Sequence, residues 1–439
     1  MKNEKPIAII GAGLAGLTAA NYLHRKNVPF VLYEAGKKIA GLAASFKDAE
    51  GFSHDFGAHF ITNRLADAIG VADECLTVKH YGEAVWLGGK IYSYPFGLMK
   101  IPRMTVSGIK TKIKSLSNGH APASAAEWFR KSYGAALADE VALPLIEAWS
   151  GAAAENLSAA VGESLPGSIG KTLYLKAMSK LTRRAVACGY NREMPERASV
   201  YHVYPEKGIS TLCEKLATGI EDVIKLETPV EEIIVENEKV IAVKAKGETQ
   251  AVSAVVSTAP ANILARLVRG TNALDEFKSF RYRPMVFVNL KFEGRRLLPD
   301  TVLWFPENEF PFFRLTEATI SMPWLAPEGK TIITADIGCE KEDEFWTMDE
   351  ETIGELCLKH LTKIIPDARA KLLGVSVIKT PIAYPVFLSE YETARRAFEK
   401  STGIENLLSI GRNGEFAHIF MEDVYWRTRK KVRGLVESL

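Results

Sequence analysis

The sequence predicts an α/β fold in which one domain is assembled from both ends of the chain and an α+β domain is interleaved with it. Two strand–glycine–helix units predict this arrangement, one within residues 5–26 and the other from residue 407 to the end. The third observation is the length of 439 residues, which is more than one simple core normally accommodates and therefore indicates two domains.

The first unit lies at the start of the chain, where an apolar strand at residues 5–10 leads directly into a glycine-rich turn. The turn consists, in order, of Gly11, Ala12, Gly13, Leu14, Ala15 and Gly16. Gly11 permits a tight turn, Gly13 leaves room for a pyrophosphate against the backbone, and Gly16 lets the following helix pack closely on the strand. That helix also presents free N–H groups and the positive end of its dipole to phosphate oxygens.

Glu34 completes this unit, because it follows a second strand at residues 28–33, about 20 residues after the turn. A carboxylate at this place accepts hydrogen bonds from both ribose hydroxyls and repels the 2′-phosphate of NADP. Strand, turn, helix and acid together predict a Rossmann-like dinucleotide site, and they do not distinguish NAD from FAD.

The rest of the chain divides into a helical stretch and a β-rich stretch. Apolar residues at helix spacing predict that residues 71–200 are mainly helical, especially 123–141 and 169–186. A turn at 204–208 and a helix at 209–218 precede short strands at 224–226, 230–235, 240–245 and 251–257. Residues 281–380 are mostly β with one helix at 352–365, and a strand at 407–410, a glycine turn at 411–414 and a helix from residue 421 close the chain.

The composition is that of an ordinary globular protein, with 47% hydrophobic residues, 25% charged residues and a net charge of +2. No run of about 18 apolar residues lacks a charge, so we expect no transmembrane helix. The five cysteines are scattered and form no CxxC pair, which disfavours metal sites and disulfides and indicates a reducing compartment, the cytoplasm. Hydrolase motifs such as HExxH and GxSxG are also absent from the sequence.

Two stretches of the chain carry basic residues and no acidic ones. Residues 90–126 and residues 164–192 each contain six lysines and arginines. They are interpreted either as two solvated helix faces or as an electropositive surface for an anionic substrate or an anionic membrane. Apolar residues alternate with lysines in 100–114, so this segment is the candidate for a peripheral membrane contact. No nucleic-acid-binding module accompanies the charge, so we expect no nucleic-acid partner.

Six local motifs, spread over most of the chain, resemble those of the FAD-binding amine oxidase superfamily, in particular its protoporphyrinogen oxidase-like members. They are the opening turn with Glu34, the loop 40–45, the segments 51–59, 151–158 and 228–233, and the closing motif 411–416 with Met421. Loop 40–45 is similar to the family's phosphate and ribose loop, and 51–59 is similar to the segment beside the flavin. The closing motif is similar to the one whose helix points its N-terminus at the flavin, where the helix dipole stabilises the reduced ring.

The resemblance implies non-covalent FAD, held by residues from several parts of the chain. The implied contacts are Gly11, Ala12, Gly13, Leu14, Ala15, Gly16, Glu34, Ala35, Gly41, Leu42, Ala43, Gly57, Ala58, His59, Val230, Thr258, Ala259, Pro260, Gly411, Arg412, Phe416 and Met421. The implied domains are an FAD-binding domain of residues 1–70, 204–270 and 396–439 and a substrate-binding domain of residues 71–203 and 271–395. Cys75 and Cys188 lie outside the C-terminal region where relatives with covalent FAD place the attachment cysteine.

The resemblance implies an FAD-dependent oxidoreductase that removes hydride from a C–N or C–C bond of a sizeable small-molecule substrate, either anionic or bulky and apolar. Leu42, where amine oxidases usually carry arginine, favours the protoporphyrinogen oxidase-like, desaturase-like and mutase-like branches, and Ala40 replaces a glycine of most relatives. The closing motif also resembles UDP-galactopyranose mutases, which perform no net redox chemistry, so a sugar-nucleotide mutase is the alternative. A non-catalytic protein on a membrane surface is the third hypothesis.

Three residues are candidates for catalysis: His59, Arg314 and Tyr384. His59 lies in the segment expected beside the flavin, where a histidine either shuttles a proton or bonds to backbone. Arg314, like Arg283, lies in the β-rich region and is either a clamp for a carboxylate or phosphate or an ordinary surface residue. Tyr384 resembles the aromatic residue of the family's turn at the substrate–flavin boundary. The aromatic stretch 304–313 predicts either a core strand and turn or an apolar wall for a flat substrate.

Overall fold

The structure is a computed structural model, and it describes residues 5–115, 121–164 and 169–439. Its strands are β1 (Ile7–Ile10), β2 (Phe30–Tyr33), β3 (Ser45–Lys47), β4 (Ser53–Asp55), β5 (Ile61–Thr62), β6 (Cys75–Thr77), β7 (Glu83–Leu87), β8 (Lys90–Ser93), β9 (His202–Pro205), β10 (Ile224–Lys225), β11 (Val230–Glu236), β12 (Lys239–Ala245), β13 (Glu248–Ala251), β14 (Ala254–Ser257), β15 (Val268–Arg269), β16 (Tyr282–Glu293), β17 (Val302–Trp304), β18 (Arg314–Thr316), β19 (Lys330–Gly338), β20 (Leu372–Pro385) and β21 (Leu407–Ser409). Its α-helices are α1 (Leu14–Arg25), α2 (Asn63–Ile69), α3 (Pro102–Ser115), α4 (Ala125–Tyr133), α5 (Ala135–Leu137), α6 (Leu143–Ser150), α7 (Ile169–Thr182), α8 (Thr211–Ala217), α9 (Ala261–Leu267), α10 (Glu344–Thr347), α11 (Glu350–Leu361), α12 (Ala368–Lys371), α13 (Glu392–Lys400), α14 (Gly411–Gly414) and α15 (Met421–Ser438).

A parallel sheet with the strand order β10-β2-β1-β14-β21 brings the two ends of the chain together. All of its neighbouring pairs are parallel, and β1, at its centre, is buried along its whole length. Helix α1 packs its apolar side chains against α8 and α15, so Leu17 and Leu23 share one core with Tyr425 and Val432. The fold class that the sequence predicts, an α/β Rossmann-like domain drawing on both termini, is therefore confirmed.

A small sheet, β13-β12-β11-β15, packs on the other face of the parallel sheet. Its strands β11, β12 and β13 are antiparallel neighbours. Its inward positions are apolar residues such as Ile233 and Val243, which share a core with Ala8 and Val31 of the parallel sheet. This packing places the start of β11 beside the carboxyl end of β2.

A seven-stranded sheet with the strand order β20-β16-β19-β18-β17-β7-β8 forms the centre of the second region of the fold. One of its faces is covered by α11 and α12, with a core that includes Val286, Val288 and Ile353. The other face meets α6, where Met285 and Phe287 pack against Leu145 and Trp149. Two smaller sheets, β3-β4 and β5-β9-β6, connect this region to the parallel sheet.

The structure corrects three sequence-based expectations about local structure. Residues 71–200 are not mainly helical throughout, because 75–93 form β6, β7 and β8, and their strand character depends on pairing with β9 and β17, far away in sequence. The predicted strand 251–257 is the end of β13 and all of β14, which belong to different sheets. Tyr384 lies in β20 rather than in a turn.

In the described parts of the chain, no helix is long and apolar enough to cross a membrane.

Candidate functional site

The turn after β1 is shaped by three glycines that meet different surroundings. Gly11 has a φ of 94°, and a Cβ there would lie 2.1 Å from Oγ1 of Thr258. A Cβ on Gly16 would lie 1.8 Å from the carbonyl oxygen of Gly11. At both positions a side chain is therefore excluded by neighbouring atoms of the protein. Gly13 differs, because the nearest atom to its added Cβ would be the carbonyl oxygen of Ala40 at 3.8 Å. The protein leaves the space beside Gly13 open.

The N-terminus of α1 faces this space with its backbone donors available. Gly13 is the N-cap residue and has no side chain to accept the first N–H groups, and the first turn of the helix, from Leu14, is buried and holds no acidic residue. Glu34, at the end of β2, accepts hydrogen bonds from the backbone N–H groups of Ala12 and Gly36, both at 2.7 Å. Uncapped donors at a buried helix end and a carboxylate one strand away fit a dinucleotide pyrophosphate and ribose.

The loop at 40–43 closes over the glycine turn. Gly13 and Ala40 form an isolated parallel bridge, and a Cβ on Gly41 would lie 3.6 Å from the Cα of Gly13. Leu42 is half-buried and Ala43 is buried, in a short 3₁₀ turn. Ala40 has a φ of 88°, a left-handed conformation that explains why a glycine would be favoured there and that alanine adopts at a cost.

Two further predicted positions lie along the same edge of the parallel sheet. Val230 is buried at the start of β11, and the backbone N–H of Thr228 donates to the carbonyl oxygen of Glu34 at 2.8 Å. Ala35, next to Glu34, is exposed. The connection from β14 to α9 is formed by Thr258, Ala259 and Pro260. The Thr258 hydroxyl donates to the carbonyl oxygen of Ile10 at 2.8 Å, which fixes this connection against the glycine turn.

The closing motif packs directly on α1. A Cβ on Gly411 would lie 2.9 Å from the Cβ of Ala15, so the short helix α14 approaches the opening turn closely. The Nε of Arg412 donates to the carbonyl oxygen of Ile419 at 3.0 Å, and its guanidinium lies 5.5 Å from the ring centre of Tyr384. Burial lowers the pKa of Arg412, and the guanidinium forms no ion pair with a carboxylate among the described residues. Within the part of the chain that the structure describes, Arg412 is therefore a cation without a carboxylate partner.

Phe416 and Met421 occupy different surroundings. Phe416 is fully buried in an aromatic cluster with Phe280, Tyr282, Phe387 and Tyr391. Met421 is the half-buried first residue of α15. The next residue, Glu422, accepts from the Thr62 hydroxyl at 2.8 Å and pairs with Arg64, which ties the start of α15 to β5 and α2.

The segment 55–59 touches the seven-stranded sheet through Gly57. Its φ is 77°, and a Cβ there would lie 3.0 Å from both Nη2 of Arg314 and Cε1 of Phe287. The same Cβ would lie 3.5 Å from Oδ2 of Asp336. Ala58 follows, half-buried, so this segment forms the boundary between the parallel sheet and the seven-stranded sheet.

His59 lies between two buried carboxylates. Its Nδ1 is 3.6 Å from Oδ2 of Asp55 and makes no hydrogen bond. The second carboxylate is that of Asp336. Burial raises the pKa of Asp336, and Arg314 and, to a smaller extent, the charge of His59 lower it. Asp55 accepts hydrogen bonds from the hydroxyls of Tyr204 at 2.6 Å and Ser45 at 2.7 Å. Asp55 is therefore held in place, and the His59 ring has a fixed acceptor on one side.

A row of side chains runs across the seven-stranded sheet at one register level. Its members, in strand order, are Val85, Trp304, Arg314, Asp336, Phe287 and Ile378. Arg314 and Asp336 form a buried ion pair. Burial opposes the charge of Arg314, and the facing carboxylate of Asp336 outweighs it, so the pKa of Arg314 is raised. Burial raises the pKa of Asp336 despite the arginine.

An aromatic group beside this row comes from α6, from the end of β20 and from the segment between α14 and α15. Trp149 lies 5.1 Å from Tyr384 and 5.0 Å from His418 between ring centres. Burial, reinforced by the charges of Arg412 and Arg192, lowers the pKa of His418 to about 3. Trp149, Tyr384 and His418 are all half-buried.

Several lining residues escape prediction from the sequence. They are Asp55, Tyr81, Glu83, Trp149, Tyr190, Asp336 and His418. Glu83 in β7 and Asp336 in β19 are polar residues at inward positions of strands, and such residues are a signal for a site. The signal can be recognised only when the pairing of the strands is known, because the pairing decides which positions point inwards.

Other predicted candidates have structural roles. Arg283 is buried, pairs with Glu340 at 2.6 Å and packs against the turn at Gly151, so the protein's own groups fix its position. In the aromatic stretch, Trp304 belongs to the row described above and Phe313 packs beside it. Phe305, Phe310 and Phe312 belong instead to the core beneath α11. Burial raises the pKa of the Cys75 thiol to about 12.

Most of the chain matches one known protein family. The family model described as flavin containing amine oxidoreductase matches residues 14–411. The chain belongs to that family. This flavoenzyme therefore uses FAD, is an oxidoreductase, and acts on a small-molecule substrate, which confirms the sequence-based predictions of family, cofactor and enzyme class.

Two curated relatives are similar over most of their length. Coproporphyrinogen III oxidase of Staphylococcus aureus is 22% identical over 397 residues, covering 80% of this flavoenzyme and 81% of the relative. The Bacillus subtilis protein of the same name is 23% identical over 403 residues, covering 82% and 83%.

Solved structures share the whole fold. Reduced UDP-galactopyranose mutase matches with a TM-score of 0.79 at 18% identity, covering 99% of this flavoenzyme and 94% of the mutase. Cyclohexylamine oxidase of Brevibacterium oxydans matches with a TM-score of 0.71 at 15% identity, covering 99% of both chains. Mutase and oxidase are both among the structural matches, so the fold by itself does not select between their reactions.

Proposed function

We propose that this flavoenzyme removes hydride from a C–N or C–C bond of a bulky organic substrate that lies along the row of side chains on the seven-stranded sheet, beside the place where α6 packs on it. The observation that carries this proposal is a pair of walls. The row with Trp304 and Arg314 forms one wall, and Trp149 of α6 with His418 forms the other, with Tyr384 of β20 in contact with both of these rings. Aromatic walls with a few polar groups are typical of sites for sizeable organic molecules.

The glycine turn, Glu34 and the loop 40–43 are the proposed binding elements for FAD. Gly13 admits the pyrophosphate, the uncapped end of α1 donates to it, and Glu34 accepts from the ribose. The proposed domains keep the predicted bounds, with residues 1–70, 204–270 and 396–439 around the cofactor and 71–203 and 271–395 around the substrate. FAD, when bound, accepts the hydride, and the protein supplies orientation and electrostatics.

We assign different roles to the three candidate catalytic residues. Tyr384, with Trp149 at 5.1 Å, orients the substrate by ring contact. His59 receives a proton at a ring nitrogen while Asp55, 3.6 Å from its Nδ1, stabilises the charged ring. Arg314 is paired with Asp336 and supports the segment at Gly57, so its role is positioning rather than clamping an anion.

The first substrate to test is coproporphyrinogen III, which the names of the two curated relatives contain. FAD-loaded protein is mixed anaerobically with this compound, with protoporphyrinogen IX and with a panel of primary and secondary amines, and the flavin band is followed. Bleaching by one class, slowed in Tyr384→Ala and unchanged in Leu373→Ala on the exposed side of β20, supports the proposal. Flavin that stays oxidised with every compound would contradict it.

A sugar-nucleotide mutase is the second candidate, and Arg412 is the observation that favours it. A buried guanidinium without a carboxylate partner among the described residues fits a diphosphate. The test incubates chemically reduced enzyme with UDP-galactopyranose and looks for the furanose isomer by chromatography. Isomerisation without electron consumption would replace the oxidoreductase proposal; no product and no UDP binding would remove the mutase.

We also propose that segment 100–114 contacts anionic membrane surfaces. In α3 the side chains divide: Met104 is buried, whereas Val106, Ile109 and Ile113 are 49%, 55% and 66% exposed and alternate with lysines. Such a face binds lipid through apolar insertion and charge. Sedimentation with phosphatidylglycerol vesicles should fall in Ile109→Ser but not in the control Leu373→Ser. Equal sedimentation of wild type with neutral vesicles, or none with anionic ones, would refute the contact.

A further inference from the structure

Glu83 is a carboxylate in the substrate-side wall that accepts hydrogen bonds from two side chains and forms no ion pair among the described residues. Its Oε1 accepts from the Tyr81 hydroxyl at 2.7 Å and its Oε2 accepts from Nε1 of Trp304 at 2.8 Å. In the described parts of the chain, no lysine, arginine or histidine lies within ion-pair distance of it. A half-buried carboxylate without a counter-charge carries a desolvation cost that a bound cation would offset.

The groups around Glu83 are the Tyr81 hydroxyl and the indole N–H of Trp304, with the phenol of Tyr190 beyond Tyr81. The guanidinium of Arg314, paired with Asp336, lies 5.4 Å from the ring centre of Trp304. The hydroxyls of Tyr81 and Tyr190 lie 3.5 Å apart, and the ring of Tyr190 stands perpendicular to that of Tyr81. Burial raises the pKa of Tyr190 to about 12, with the Glu83 carboxylate as the next cause, so the phenol stays neutral. Neutral aromatic rings around a carboxylate are the arrangement that proteins use to bind a cationic nitrogen.

The position of Glu83 is distant from the segment assigned to the flavin side. Trp304, Arg314 and Asp336 lie at one register level on three adjacent strands. Adjacent strands are about 4.8 Å apart, so Trp304 is about 10 Å across the sheet from Asp336, which contacts Gly57. Glu83 lies on the next strand, β7, about 14 Å from Asp336, and its carboxylate reaches back to Trp304. A group bound at Glu83 is therefore remote from a bond that reacts beside His59.

We propose that Glu83, with Tyr81, Tyr190 and Trp304, is a subsite for a cationic nitrogen that the substrate carries about 10–14 Å from the bond that is oxidised. This inference rests on the proposed function, because the distance is counted from the segment assigned to the flavin. The substrate class is thus an elongated molecule with an alkylammonium group at its far end and an apolar body between the two aromatic walls.

The test measures binding of two matched probes, benzylammonium and benzyl alcohol, to FAD-loaded protein by titration calorimetry near neutral pH. The expected result is that wild type binds benzylammonium about tenfold more tightly than benzyl alcohol, which corresponds to about 1.4 kcal/mol. Glu83→Gln should lose this preference and keep its affinity for the alcohol, whereas the control Glu293→Gln, at an exposed position at the end of β16, should keep it.

Equal binding of the two probes by wild type, or an unchanged preference in Glu83→Gln, would overturn the subsite. The wild-type comparison needs no variant, so it decides the matter even if Glu83→Gln fails to fold. The flavin content of each sample is read from its visible spectrum. Protein that binds no FAD but prefers benzylammonium would refute the proposed function alone, and FAD-loaded protein without the preference would refute the subsite alone.

Discussion

Gly13 and Gly16 lie in the same turn, and the structure predicts opposite consequences for adding one methyl group to each. A Cβ on Gly16 would lie 1.8 Å from a backbone oxygen, whereas a Cβ on Gly13 would have no neighbour closer than 3.8 Å. The φ of Gly13 is −78°, which alanine adopts freely. Gly16→Ala should therefore destabilise the protein by about 1–3 kcal/mol or more, and Gly13→Ala should change stability by less than about 0.5 kcal/mol.

The free space beside Gly13 is the space that a pyrophosphate needs. A methyl group there should weaken FAD binding by about 1–3 kcal/mol through overpacking against the phosphate. That range corresponds to a roughly five- to 150-fold increase in Kd. Gly13→Ala thus tests FAD binding without disturbing the fold. Gly16→Ala cannot do so, because its new methyl group would overlap with the protein's own backbone at Gly11.

The assay uses protein stripped of FAD. The urea midpoint of each apo-variant is measured first, and FAD is then titrated while its fluorescence is followed. Gly374→Ala is the matched control, because a Cβ there would meet nothing within 4 Å and the residue lies in β20, away from the turn. The reasoning is refuted if Gly13→Ala binds FAD as tightly as wild type, or if its midpoint falls as far as that of Gly16→Ala.

Buried charges elsewhere in the protein carry three further predictions. Asp336→Ala leaves Arg314 without its partner and should lower the free energy of urea unfolding by about 3–5 kcal/mol. Adding Arg314→Met should restore part of this loss, and a loss below about 1 kcal/mol in Asp336→Ala would contradict the importance of the pair. Burial lowers the pKa of His202 to about 4 and of His418 to about 3, so below about pH 6.5 the unfolded chain binds protons that the folded chain refuses. Stability should fall as the pH decreases from about 6.5 towards about 4, by up to about 2.7 kcal/mol per pH unit, and phenylalanine at both positions should flatten that slope. Arg412→Met should make the reduction potential of the bound flavin more negative, on the order of 30 mV, and an unchanged potential would show that this cation does not face the ring.

The opening unit could be predicted almost completely because its signals are local. Turn, helix and strand follow one another within the first 36 residues, and Glu34 needs no partner from elsewhere to identify the edge where it lies. In the closing unit the strand and the long helix follow in the predicted order, but residues 411–414, predicted as a glycine turn, form the short helix α14. Each of these elements is specified by residues that are neighbours in the chain.

The substrate-side wall could not be predicted, because it depends on register between distant strands. Trp304 faces Arg314 across β17 and β18, and Arg314 faces Asp336 across β18 and β19, although Asp336 is separated from Trp304 by a long excursion of the chain. The strand with Glu83 lies where the sequence predicts mainly helix, since its pairing partner is the distant β17. The polar residues that point inwards become recognisable once the sheet is assembled.

The charges in the assembled site limit the possible substrates more than the sequence alone does. The sequence offered Arg283 and Arg314 as clamps for an anion, but their carboxylate partners, Glu340 and Asp336, already neutralise them. Arg412 forms no ion pair with a carboxylate among the described residues, and it lies beside Tyr384 at the end near the closing motif. At the far end the unpaired charge is the carboxylate of Glu83. Because opposite charges thus occupy opposite ends, a substrate with several carboxylates would face Glu83 with like charge, whereas one with a distal cation would be complementary along the whole site.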